Sequence, residues 1–87
     1  MSLSEEFQKA CTAIQESEEF GAKPDEEKLA IYGLFKQALV GDVNIPEPSV
    51  FKVKDKAKWN AWKSRAGMSK EKAMEEYVAL AKKYVTF

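Results

Sequence analysis

Histidine is absent from this 87-residue chain, and cysteine occurs once. The first absence excludes a Ser-His-Asp relay, an imidazole base and any histidine-ligated metal. The second excludes an intramolecular disulfide and fits a reducing compartment. Cys11 falls on the apolar stripe of a helical pattern, where a thiol is buried and inert. No stretch approaches the roughly 18 apolar residues of a membrane span. The opening Met1-Ser2-Leu3-Ser4-Glu5-Glu6 carries neither the basic nor the apolar region of a secretory leader, so a soluble, cytoplasmic protein is expected. The four glycines stand apart, which leaves no glycine-rich phosphate loop.

The chain is long enough for a single domain, 1–87, and no second core. A domain of this size buries roughly 60–65% of its unfolded surface, so a groove is easier to build than an enclosed cavity. The formal net charge of zero hides an asymmetry. Residues 1–27 hold eight acidic side chains against Lys9 and Lys23, while residues 52–72 hold eight basic ones against Asp55 and Glu71. A local basic segment in a neutral protein points either to a solvated face or to a discrete anionic ligand, and away from nucleic acid.

Four helical patterns are readable, with no convincing strand. The first runs from about Ser4 to Glu16, with Phe7, Ala10, Cys11 and Ile14 spaced three and four apart; Ser2 or Ser4 caps it. Phe20-Gly21-Ala22-Lys23-Pro24 breaks the pattern. Asp25 is the expected cap of the second helix, Glu26 and Glu27 favour its first turn, and Gly41 supplies its stop. Residues 42–53 hold Asp42, Asn44, Pro46 and Pro48. This connection is long for a small bundle, so it either crosses between helices that are not neighbours or helps to shape a site. A short third helix, about Asp55 to Arg65, stops at Gly67. Ser69 caps a fourth whose pattern persists to the C-terminus. Such stripes make an all-α bundle.

Two segments combine aromatics with lysines. Tyr32, Phe35 and Lys36 share one side of a helix. On the residues alone, the rings are core and Lys36 marks the boundary, or a ring stacks on a base while the ammonium meets a phosphate; such stacking is worth about 1–3 kcal/mol. In Lys54-Asp55-Lys56-Ala57-Lys58-Trp59-Asn60-Ala61-Trp62, Lys54 and Lys58 lie one turn apart if the helix includes Lys54. Trp59 and Trp62 take the opposite, inward side as packing residues. Like charges at this spacing destabilise a helix by a few tenths of a kcal/mol, which a bound anion would offset.

In combination these segments closely resemble the acyl-CoA-binding protein family, including its diazepam-binding-inhibitor-like members. The resemblance rests on Lys23-Pro24, Tyr32 to Ala38, Val40-Gly41-Asp42-Val43-Asn44 and Pro48. It continues through Lys54, Lys56-Ala57-Lys58-Trp59, Ala61-Trp62, the Gly67/Ser69-Lys70-Glu71 turn and Ala73-Met74 leading to Tyr77. It implies an up-down-down-up four-helix bundle with a long overhand loop between the second and third helices. It also implies a surface bowl for long-chain fatty acyl-CoA esters, with no cofactor and no catalysis. Carried over by residue, Lys36 and Lys58 would pair with the ribose 3′-phosphate and Tyr32 would hydrogen-bond to it. Phe35 would stack on adenine, with Leu29 and Lys28 at its edge. Tyr77 and Ala10 would lie near the nucleotide, and Lys23 and Lys54 would serve the pyrophosphate.

Three departures from the family pattern stand out. Phe35 replaces a common tyrosine, Lys52 stands where an acidic residue is common within the divergent stretch Ile45 to Val53, and Glu16 to Ala22 is slightly long. The last two bear on the acyl groove and its preferred chain length. The resemblance predicts a monomeric intracellular carrier without stable membrane insertion, meeting acyl-CoA-using enzymes or membranes only transiently. The alternative is a small helical module that binds acidic protein partners. A lipid-surface binder ranks below both, because no helix joins a basic face to a bulky apolar one.

Overall fold

The computed structural model describes residues 2–87. Five helices follow in order: α1 (Leu3–Glu16), α2 (Glu18–Gly21), α3 (Asp25–Leu39), α4 (Val53–Lys63) and α5 (Lys70–Ala81), with no strand among the described residues. Ser2 caps α1, its Oγ accepting from the Glu5 N–H at 3.2 Å. Ser69 caps α5 in the same way through the Lys72 N–H at 3.1 Å. Each removes an otherwise orphaned donor.

The pattern break at Phe20 contains an unanticipated single turn, α2. Ser17 caps it by accepting from the Phe20 N–H at 3.0 Å, and the buried Phe20 ring packs 5.2 Å from that of Tyr84. One anchored side chain in four residues carries no readable period. The cap of α3 also differs from expectation. The Pro24 carbonyl accepts from Glu27 and Lys28, so Pro24 is the cap and Asp25 joins Glu26 and Glu27 in the first turn. There all three carboxylates face the positive end of the helix dipole. Helix α4 starts two residues before Asp55 and ends at Lys63, with turns continuing toward Gly67. Helix α5 stops at Ala81, and Tyr84 and Val85 pack on the core from the turn beyond it.

Pairwise contacts give the topology. Phe7 meets Phe35 while Ile14 shares a depression with Ile31 and Lys28, so α1 runs against α3. Gln37 reaches the Met68 carbonyl while Lys23 lies over the ring of Tyr84, so α5 also runs against α3. Between α3 and α4 the pairings rise together: Tyr32 with Lys58, then Lys36 with Trp62. These two helices are parallel, which completes the up-down-down-up bundle. Parallel neighbours cannot be joined by a tight turn, so residues 40–52 travel back along the bundle as the overhand loop. The helices joined by that loop are therefore neighbours, and it does help to shape a cavity.

Two features hold this arrangement. Gly33 lies against the backbone of α4, where an added Cβ would stand 2.4 Å from the Ala61 carbonyl oxygen. Near the other end, the buried Gln37 side chain donates to Asp42 Oδ1 at 2.9 Å and to the Met68 carbonyl at 2.7 Å. The Gly67 N–H donates to the same Asp42 oxygen at 2.8 Å. Gly41 and Gly67, at φ +97° and +90°, make the turns that bring these groups together.

Gly33→Val should lower stability by about 1–3 kcal/mol, the range for overpacking, read as a lower urea midpoint at unchanged m-value. An unchanged midpoint would show that α4 yields freely. The Asp42 carboxyl is held below its ordinary 3.8, first by the Gly67 N–H and then by Gln37. A lowered folded-state pKa means stabilisation that is complete above 3.8 and lost as pH falls through the folded value. The Tm gap between wild type and Asp42→Ala should thus persist at neutral pH and close only in that acid range. A pH-independent gap would refute the assignment.

Candidate functional site

The parallel register of α3 and α4 sets each of two lysines over a ring of the opposing helix. Lys58 Nζ lies 5.7 Å from the centroid of Tyr32, and Lys36 Nζ lies 4.8 Å from that of Trp62. Both are within cation–π reach, worth about 0.5–1 kcal/mol where exposed. An ammonium parked on a ring keeps its N–H donors available to an anion.

Three surface depressions adjoin at Tyr32. One, about 240 Å³, lies between α1, α3 and α5 and is lined by Gln15, Lys28, Ile31, Phe35 and Tyr77. A second, about 310 Å³, lies between α3 and α4 and is lined by Asp25, Lys28, Leu29, Lys54, Ala57 and Lys58. The third, about 410 Å³, lies under the overhand loop, between Ile45–Ser49 and the side chains of Lys58 and Trp59. Their volumes fall around the lower end of the range for small-molecule sites. A phenol shared by all three, with Lys28 and Lys58 each shared by two, makes one polar pivot between apolar walls.

The wall of the first depression is aromatic and rigid. Phe35 stacks on Phe7, with centroids 6.3 Å apart and planes 26° from parallel, and Tyr77 meets Phe7 edge-on at 5.0 Å. Tyr77 is buried, with its hydroxyl beside the Cys11 thiol. Burial, then the thiol, pushes the phenol well above its ordinary value, so it remains a neutral donor. The overhand loop is pegged to α4 by the two tryptophans. Trp59 Nε1–H donates to the Ile45 carbonyl at 2.9 Å and Trp62 Nε1–H to the Gly41 carbonyl at 2.7 Å. Lys56 pairs with Glu47 across the same gap.

The chain is similar to known proteins over most of its length. The family model for acyl CoA binding protein matches residues 4–81. The chain belongs to the acyl-CoA-binding protein family. Acyl-CoA-binding domain-containing protein 3 of Oryza sativa subsp. japonica is 44% identical over 94% of this chain, which spans 52% of that protein. Acyl-CoA-binding domain-containing protein 1 of the same plant is also 44% identical over 94% of the chain, spanning 88% of that relative. The crystal structure of Oryza sativa acyl-CoA-binding protein 2 matches with a TM-score of 0.87 at 40% identity, covering 94% of this chain and 89% of that one.

Within this member of the acyl-CoA-binding protein family, Tyr32, Phe35, Tyr77, Leu29, Lys28, Lys54 and Lys58 all line the depressions that meet at Tyr32. Lys36 sits apart from their walls, over Trp62. Lys23 projects from the α2–α3 turn toward Tyr84, 6.0 Å from its ring. Ala10 has no exposed surface and reaches a ligand only if its neighbours move. Sequence reasoning passed over Gln15 and Ala57 as site residues, whereas the stretch Ile45 to Val53 was expected to bear on the acyl groove, and Ile45 to Ser49 with Lys52 line the cavity under the loop. Ala57 had a signal, a small side chain between two lysines, whereas Gln15 had none, since a polar residue on an exposed helix face reads as solvated surface.

Among the described residues no three His, Cys, Asp or Glu side chains gather as metal ligands. Burial lifts the half-buried Cys11 thiol above its ordinary 9.0, and the Tyr77 hydroxyl beside it only partly offsets this. Ellman's reagent should therefore react far more slowly with native protein than with urea-unfolded protein at neutral pH. The native rate should climb mainly above pH 9. Equal rates in the two states would show the thiol to be accessible and ordinary.

Proposed function

We propose that this protein is a non-enzymatic intracellular carrier and buffer of long-chain fatty acyl-CoA esters. The observation that carries this reading is the convergence of Lys28, Lys54 and Lys58 on Tyr32, in a chain whose family is that of the acyl-CoA-binding proteins. Lys36 and Lys58 pair with the ribose 3′-phosphate, and Tyr32 hydrogen-bonds to it. Two ammonium groups with a phenol match a nearly doubly charged phosphate, because charge-assisted bonds are the strong ones. Phe35, backed by Phe7 and Tyr77, offers its face to adenine, with Lys28 and Leu29 at the edge. Lys54 serves the pyrophosphate, joined by Lys23 once its exposed side chain swings from Tyr84.

The acyl chain follows apolar surface from Leu29 and Ala57 toward the walls of the overhand loop, gaining about 0.8 kcal/mol per buried methylene. Head recognition then sets specificity, and chain length sets affinity. The protein acts as a monomer in the cytoplasm without stable membrane insertion.

Isothermal titration calorimetry with palmitoyl-CoA, CoA and palmitate in parallel tests this reading. The ester should bind tightly one-to-one, CoA much more weakly, and the free acid little or not at all. Lys36→Ala should weaken ester binding by about 1.5–3 kcal/mol, the range for a hydrogen bond to a charged group. No heat with palmitoyl-CoA would overturn the carrier reading and leave a module for acidic protein partners.

A further inference from the structure

The overhand loop carries an exposed apolar tip that the binding site does not use. Lys52 N–H donates to the Ser49 carbonyl at 2.9 Å, and Phe51 N–H donates to Ser49 Oγ at 3.2 Å. This closes a turn with Val50 and Phe51 at its corners, where polar turn formers are commoner than large apolar residues. Phe51 is 92% exposed, Val50 65%, and Val53, the first residue of α4, 72%. The cavity under the loop is lined by Ile45–Ser49 and Lys52, not by these three side chains, which point away from it into water.

Clustered exposure of large apolar groups marks an interaction surface. The basic segment of the chain begins at the same tip. Lys52 and Lys54 are exposed and enter no ion pair among the described residues, whereas of the loop's two carboxylates Asp42 is bonded to Gln37 and the Gly67 N–H and Glu47 is taken up by Lys56. We infer that the Ser49–Lys52 turn is a membrane-docking tip, with Val50, Phe51 and Val53 entering an anionic phospholipid surface while Lys52 meets its headgroups.

Three features favour a bilayer over a protein receptor. The tip is a single hydrogen-bonded turn with its apolar side chains in water, small enough to enter a headgroup layer without moving the bundle. Lys52 is the one polar side chain among Val50, Phe51 and Val53, so the tip pairs a cation with apolar groups and offers no carboxylate or amide to a defined partner. The lysine stem next to Phe51 can lie along the apolar group while its ammonium reaches a phosphate, the usual arrangement at an interface. Each lysine near an anionic leaflet adds to the attraction, and salt screens it. The sequence patterns gave no sign of this because the device is a turn, whereas basic amphipathic character is sought on helices.

The inference does not depend on the acyl-CoA reading: its flotation measurements use no acyl-CoA, and palmitoyl-CoA enters only as a separate control. Apo protein is floated with vesicles of phosphatidylcholine and phosphatidylserine in equal parts, and with vesicles of phosphatidylcholine alone. Wild type should float with the anionic vesicles, less with the neutral ones, and less as salt is raised. Phe51→Ser should weaken flotation about tenfold or more, since a large apolar ring no longer leaves water. Lys52→Glu should also weaken it. Palmitoyl-CoA affinity of Phe51→Ser in vesicle-free buffer should match wild type. The proposal is overturned if wild type fails to float, binds both vesicle types equally, or floats as well after either substitution. A loss of acyl-CoA affinity in Phe51→Ser would overturn it too, by assigning the tip to the acyl groove.

Discussion

Everything functional in this fold depends on how closely α3 and α4 approach at Gly33. With no side chain at that position, the backbone of α3 rests against the Ala61 carbonyl of α4. That approach sets Lys58 over the face of Tyr32 and Lys36 over that of Trp62. The cations are thus positioned by a missing side chain. Glycine inside a helix costs roughly 0.5–1 kcal/mol relative to alanine. That penalty is the physical mark of a contact that the bundle could not otherwise make.

A parallel pair of helices forces a long return connection, and this chain pins the connection at chosen points. At its start, Asp42 ties together the end of α3 and the turn before α5 through Gln37 and Gly67. Further on, the two tryptophan N–H groups and the Lys56–Glu47 pair hold the loop on α4. Beyond these pegs, the turn at Val50 and Phe51 is left standing in water. The pegged part makes a wall of the bowl, and the unpegged part is what a partner surface can meet first.

Helices α1, α3 and α5 were legible because each buries a stripe at three-and-four spacing, and stripe residues such as Phe7, Ile14, Ile31, Leu34 and Val78 are core. Helix α4 buries only Trp62 and was legible from its tryptophans and its stop at Gly67. The cluster around Tyr32 was legible for a different reason, since lysines set one turn apart beside aromatics oppose each other unless something anionic lies between them. Helix ends were less readable. Pro24 displaced Asp25 as a cap because its carbonyl, which no propensity describes, is free to accept from the first turn. The tryptophans were read as packing residues, but their indole N–H groups do as much as their rings, and the acceptors lie in a loop whose path periodicity cannot trace. The exposed tip escaped for the same reason: two apolar residues in a breaker-rich stretch look like core until a hydrogen-bonded turn aims them outward.

The distribution of paired and unpaired charge separates structure from function more sharply than residue type does. Lysine is abundant throughout α4, yet Lys56, which faces the loop, is the one in that helix that holds a carboxylate. Lys54 and Lys58, a turn either side of the trough, hold none, and the acidic group lining their depression is the exposed Asp25 at the far helix start. Unpaired like charges beside one another are a small standing penalty on the empty protein. A nearly doubly charged ligand removes that penalty as it binds, so part of its affinity comes from relief of repulsion rather than from new contacts. Binding and stability are then linked in a chain too small to carry a large surplus of either, because a ligand held only by the folded state stabilises it by mass action.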